Sequence, residues 1–187
     1  MRWHRIAGYG VLGVVWFRVA WGFYGGQTAR FGSFVRGPAA TLRYLRGLFR
    51  PESHDSRAPI GHNPLGALSI LAMLGLLLTQ TTLGLFAENV DGVGSGPLAR
   101  WVSYGTGRRL AHLHAANFDL LLVMIAVHLT AIAFYRFARK ENLVPAMIHG
   151  FTTRAPSGES PYFVPWWRAV LLAAGIFVCV ALLLNLR

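Results

Sequence analysis

Four stretches of the chain are apolar and nearly free of charge: about Ile6 to Gly25, Pro64 to Phe86, Leu110 to Phe134 and Trp166 to Leu186. Each is near or above the ~20 residues that a helix needs to cross the hydrocarbon core of a bilayer. Buried helices of a soluble bundle keep a polar face, and the second and fourth stretches have none. The pattern therefore predicts an all-α integral membrane bundle with four transmembrane helices.

The connections carry their own signals. Between the first two stretches, Gly26 to Asn63 is long for a compact protein. Within Ala39–Arg50, Arg43, Arg46 and Arg50 recur at helical spacing opposite Leu42, Leu45, Leu48 and Phe49. That is the signature of a basic amphipathic helix lying on an anionic leaflet. Pro51 to Pro59 reads as irregular, and Asn63-Pro64 as a helix cap followed by proline at the first helical position. Glu88–Arg109 is rich in glycine. The last connection carries Pro156, Gly158 and Pro161. Trp3, Trp21, Trp101, Trp166 and Trp167 fall near predicted helix ends, as an aromatic belt requires, and Trp16 does not.

Only 13% of the 187 residues are charged, against roughly a quarter in a soluble domain. The net charge of +11 would suit nucleic acid, but its placement argues for a membrane. Arg30, Arg36, Arg43, Arg46, Arg50 and Arg57 lie in the first connection, and Arg136, Arg139, Lys140, Arg154 and Arg168 on the third–fourth side. Those are eleven basic residues on one side against six on the other (Arg2, Arg5, Arg100, Arg108, Arg109 and Arg187). The positive-inside rule puts the crowded side in the cytoplasm and both termini in the periplasm. A bacterial inner membrane location and no nucleic-acid partner follow. The first apolar stretch is too long for a cleavable signal peptide. Cys179 stands alone, which excludes an internal disulfide, a Cys-x-x-Cys pair and covalent c-type haem, and it reads as a small packing residue.

Seven histidines remain: His4, His54, His62, His112, His114, His128 and His149. His54 and His149 read as solvated loop residues and His112 as interfacial. His128 lies in mid-membrane, where an ionisable group points to function. His114 precedes it by fourteen residues, close to four helical turns, so both imidazoles share one face roughly 21 Å apart. That spacing suits two stacked haems near opposite membrane surfaces, with neutral imidazole as axial ligand. His4 begins the first helix at the depth of His114 and meets the need for a second ligand. An interhelical hydrogen bond, for instance to Thr79, Thr81 or Asp119, is the competing account of His128. Gly8, Gly10 and Gly13 would leave room for a flat porphyrin or let helices pack closely. Arg18 would snorkel to the cytoplasmic surface or pair with a haem propionate. No metalloprotease, phosphate-loop or nucleophile-elbow motif is present.

The stretches WHRIAGYGVLGVVWFRVAWG, ARFGSFVRGP…YLRGLF, GHNPLGALSIL, LHAANFDLLLVMIAVH and KENLVPAMIHG resemble, in order, the bacterial cytochrome b561 family, including the b-type cytochrome subunits of nickel–iron hydrogenases. They cover most of residues 1–150, leaving 151–187 as a loop and an additional C-terminal transmembrane helix. The resemblance implies haem b between paired histidines and electron transfer between quinone and a redox partner subunit or cytochrome c. It implies His4 and His114 as ligands nearer the periplasm, His128 as a ligand nearer the cytoplasm, and Arg18 on a propionate. Family members usually begin one helix earlier, with a His-Trp pair that partners the counterpart of His128. Three accounts stand: a start further upstream, a single haem, or a helix from another subunit; His62 is a fourth, shallow candidate. One haem site is then complete within the chain and a second is half-formed. A haem-free membrane anchor and a stand-alone quinone-dependent oxidoreductase are the competing functions.

Overall fold

A computed structural model of the chain describes residues 2–48, 63–88, 94–149 and 162–185. These form α1 (Arg2–Tyr24), α2 (Phe31–Phe34), α3 (Pro38–Leu48), α4 (Pro64–Phe86), α5 (Tyr104–Phe137), α6 (Val144–His149) and α7 (Trp166–Asn185), with no strand among the described residues. Helices α1, α4, α5 and α7 are each long and apolar enough to cross a membrane. The hydropathy pattern thus predicts their number correctly, because in lipid an open segment satisfies its own backbone only as a helix.

The ends follow local chemistry. Asn63 caps α4, its Oδ1 accepting from the Gly66 N–H at 2.6 Å, with Pro64 at the first helical position. Helix α5 begins at Tyr104, six residues before the predicted Leu110, because Ser103 Oγ accepts from the Thr106 N–H at 3.2 Å and starts the helix outside the apolar stretch. Its first turns carry Arg108 and Arg109. Hydropathy marks where lipid contact begins, while backbone hydrogen bonding ignores that boundary. The amphipathic helix predicted at Ala39–Arg50 is α3, with Arg43 and Arg46 exposed and Tyr44 and Leu45 half-buried; Phe49 and Arg50 lie outside the described residues. His149 ends the short helix α6 instead of lying in a loop, and His54 and His62 fall outside the described residues.

Helices α1, α4, α5 and α7 form a row in the order α7, α1, α4, α5. Helices α4 and α5 are antiparallel, and a ladder of polar pairs fixes their register. The Asn63 amide donates to Tyr135 Oη (3.2 Å), Ser69 meets His128, Gln80 meets His114, and the Glu88 N–H donates to the Gly107 carbonyl (3.0 Å). Helix α7 is antiparallel to α1. Tyr162 and Gln27 exchange two hydrogen bonds at one end (3.0 and 3.1 Å), and Phe177 lies over Gly13 further along. Helices α1 and α5 therefore run the same way on either side of α4. One end of the row carries His4 and His114. The other, the basic end, carries Arg30, Arg36, Arg43, Arg46, Arg136, Arg139, Lys140 and Arg168.

Few side chains of the four long helices are buried: Leu12 and Val15 on α1, Ala67 on α4, Leu121 and Tyr135 on α5, joined by Phe34, Leu98 and Ala99 from the connections. Most apolar side chains of the four long helices face outward, as lipid permits. Helix α7 buries none and stands at the edge of the row. Cys179 lies exposed on it, which corrects its reading as a small packing residue.

Candidate functional site

His4 from α1 and His114 from α5 meet across the end of α4, with ring centres 6.0 Å apart and planes at 85°. Helix α4 carries Gly84 at that level. A Cβ there would lie 3.0 Å from His114 Cε1, so a side chain would push the imidazole away. Two further groups orient the ring. His114 Nδ1 lies 3.0 Å from the Gln80 carbonyl oxygen. A carbonyl only accepts, so Nδ1 carries the hydrogen and Nε2 the lone pair. The Gln80 side-chain N–H donates to that Nε2 at 3.3 Å, which requires the same tautomer. Asn117, one turn along α5, donates to Gln80 Oε1 (2.7 Å) and to the Leu76 carbonyl (3.1 Å).

A histidine whose second N–H is held by a backbone carbonyl is the usual form of a metal-binding imidazole. With metal–nitrogen bonds of about 2 Å, two imidazoles on opposite sides of one ion have ring centres about 6 Å apart, which matches the observed pair. No group of three or more His, Cys, Asp or Glu able to hold a metal occurs among the described residues. A bare zinc ion needs three or four protein ligands. A porphyrin supplies four of its own and asks the protein for two. Gly8, one turn beyond His4, and Gly10 have open space where a Cβ would stand, whereas Gly13 is packed against Phe177. The two readings of the α1 glycines thus divide. Gly8 leaves open space on the face of His4, Gly10 stands exposed about 120° away around the helix, and Gly13 serves helix packing. The described residues fit haem at this pair provided the Gln80 amide leaves His114 Nε2, to which it donates at 3.3 Å.

His128 lies two-thirds of the way along α5, half-buried, its Nδ1 3.2 Å from Ser69 Oγ of α4. An interhelical hydrogen bond is therefore present, but not to Thr79, Thr81 or Asp119. In the antiparallel register Thr79 and Thr81 lie at the level of His114. Thr81 is turned onto its own helix, bonding the Leu77 and Leu78 carbonyls, and Asp119 and Thr79 are exposed. No second histidine meets His128 among the described residues. Arg18 donates to the Ala29 carbonyl at 3.4 Å and lies over the Phe31 ring, 5.3 Å from its centre. Counted down α1 from His4 it is fourteen residues away, as His128 is from His114. Arg18 therefore belongs to the level of His128. His112 is exposed near the start of α5, as an interfacial residue should be.

A family model of prokaryotic cytochrome b561 matches residues 1–150. The chain belongs to the prokaryotic cytochrome b561 family. Comparison with curated proteins and with solved structures returns no match. Membership makes the chain a membrane b-type cytochrome that takes part in electron transfer with a redox partner, and a multi-pass protein of the inner membrane. The b-type haem that a cytochrome b561 carries is the group tested against the His4–His114 pair above.

Gln80, Asn117, Ser69 and Gly84 were not among the residues singled out from sequence. A signal did exist for two of them: Gln80 and Asn117 are amides inside apolar stretches, and an amide there needs a partner as much as a histidine does.

Proposed function

We propose that His4 and His114 are the axial ligands of haem b near the periplasmic surface, and that this haem carries electrons between the quinone pool and a redox partner subunit or cytochrome c. The 6.0 Å separation of the two imidazoles is the observation that supports the reading best. Haem iron alternates between ferric and ferrous states and so passes one electron at a time. The chain's part is to bring two imidazoles to one level and to fix the His114 tautomer through the Gln80 carbonyl. His128 is one ligand of a second, inner haem, with Arg18 at its level to meet a propionate. The excess of arginine at the basic end supports a cytoplasmic position for that end, with both termini in the periplasm.

Reduced-minus-oxidised spectra with haem-to-protein stoichiometry test the assignment. Wild type should show b-type bands, and His4→Ala and His114→Ala should lose the outer haem. His128→Ala should retain it. A preparation made with haem supplied but without b-type bands would leave a haem-free membrane anchor as the better reading.

A further inference from the structure

We propose that a groove at the basic end, between α1 and α7, binds the phosphate of an anionic phospholipid. Its walls are Trp21, Phe23 and Tyr24 of α1, Arg30 of the following turn, and Arg168, Leu171 and Leu172 of α7. Every polar side chain in this lining is a hydrogen-bond donor: two guanidinium groups, an indole N–H and a phenol. No carboxylate lines it among the described residues. Such a lining suits an oxyanion.

The groove is also held open by bonds that leave its donors free. Arg30 donates its Nε–H to the Gly25 carbonyl at 2.8 Å, and among the described residues the two terminal nitrogens of the fork have no hydrogen-bond partner. Arg168 rests on the Trp167 ring, 5.3 Å from its centre, which orients the guanidinium without neutralising it. The exchanged hydrogen bonds between Gln27 and Tyr162 tie the start of α7 to the turn after α1, and so set Arg168 opposite Arg30.

Position selects the source of the anion. The arginines stand at the polar ends of two membrane-spanning helices. Directly beyond them Leu171 and Leu172 lead onto the unburied apolar face of α7. A ligand that fills the groove must carry a phosphate at one end and hydrocarbon at the other, with net negative charge to balance two arginines. Basic pockets between membrane helices recognise anionic head groups in this way. Burying the lipid's tails along α7 would also cover an edge helix that packs chiefly on α1.

Native mass spectrometry of the detergent-purified protein, after exposure to mixed micelles holding equal phosphatidylglycerol and phosphatidylcholine, provides the test. The wild type should retain phosphatidylglycerol selectively. Arg30→Gln and Arg168→Gln should each reduce that retention by about fivefold, the weight of one arginine near a charged leaflet. Arg2→Gln with Arg100→Gln, at the opposite end, should leave it unchanged. Equal retention of the two lipids, or retention unaffected by both groove variants, would overturn the proposal. Release of the bound lipid by millimolar inorganic phosphate would overturn it too, by assigning the groove to a soluble anion. Retention is read from mass alone, so the outcome does not depend on haem content.

Discussion

Gln80 presents one residue to His114 twice, through its carbonyl to Nδ1 and its amide to Nε2. The lone pair on Nε2 is the one that an axial ligand gives to iron, so in the proposed cytochrome the Gln80 amide and the metal compete for it. Asn117 then has a definable task, since it can hold the displaced amide by its oxygen while the ring stays on the carbonyl. Gly84 sets the remaining constraint. Gly84→Leu is expected to drive the His114 ring off its position and cost most of the haem, measured as the ratio of Soret to protein absorbance, while the helix content by circular dichroism stays unchanged. Haem content equal to wild type would show that the ring does not need that space. Much of this site is legible in the chain. The His4–His114 pair follows from depth and helix face, because two helices entering from the same surface bring His4 and His114 to the same level while His112 points to another face. The partner of His128 does not follow, because Ser69 and Thr79 differ only through the register of α4 on α5. That register depends on side-chain fit and on loops whose geometry no hydropathy profile contains.

At the scale of elements, α4 is the common wall of the molecule. It packs on both α1 and α5, and its cap, its Ser69, its Gln80 and its Gly84 all face functional or anchoring side chains. Asn63 illustrates how one residue joins three elements. Its Oδ1 caps α4, and its amide donates to Tyr135 of α5, whose hydroxyl lies 2.6 Å from that of Tyr44 on α3. Losing a cap costs about 1 kcal/mol, and leaving a part-buried hydroxyl without one partner about 1 more. Asn63→Ala should therefore destabilise the protein by about 2 kcal/mol. Asn63→Asp, which keeps the cap and loses the donor, should fall by about half as much. Denaturation in mixed micelles followed by far-ultraviolet dichroism measures both. Equal losses for the two variants would mean that the cap contributes nothing, and no loss in Asn63→Asp that the bond to Tyr135 contributes nothing. The cap itself is evident from Asn63-Pro64, whereas the tyrosine pair is not. Tyr44 and Tyr135 are far apart in sequence, and each alone resembles an ordinary interfacial aromatic.

For the whole molecule, the row order α7, α1, α4, α5 separates two roles. Helices α1, α4 and α5 carry every residue of the haem proposal, and they lie inside the stretch that matches the family. Helix α7 touches none of those residues and presents the lipid groove at its edge. The basic end and the histidine end face opposite surfaces, so any redox partner at the histidines is met from one side and anionic lipid from the other.

The parallel run of α1 and α5 also gives the molecule an electrical length. His4 and His114 share one level, and fourteen residues further along their helices Arg18 and His128 share another, roughly 21 Å away along the axis. An electron passed from one level to the other crosses about two-thirds of a hydrocarbon core ~30 Å thick. With about 2.3 kcal/mol per charge for each 100 mV across the whole membrane, that step is worth about 1.6 kcal/mol per 100 mV. Iron at both levels would make the redox balance between them follow the membrane voltage, with the outer site reduced more as the cytoplasm becomes negative. In vesicles poised at a fixed potential, an imposed gradient of 100 mV should then shift the two haems in opposite directions by about tenfold in their ratio. A cytochrome using the outer site alone would leave no such imprint of voltage between two levels.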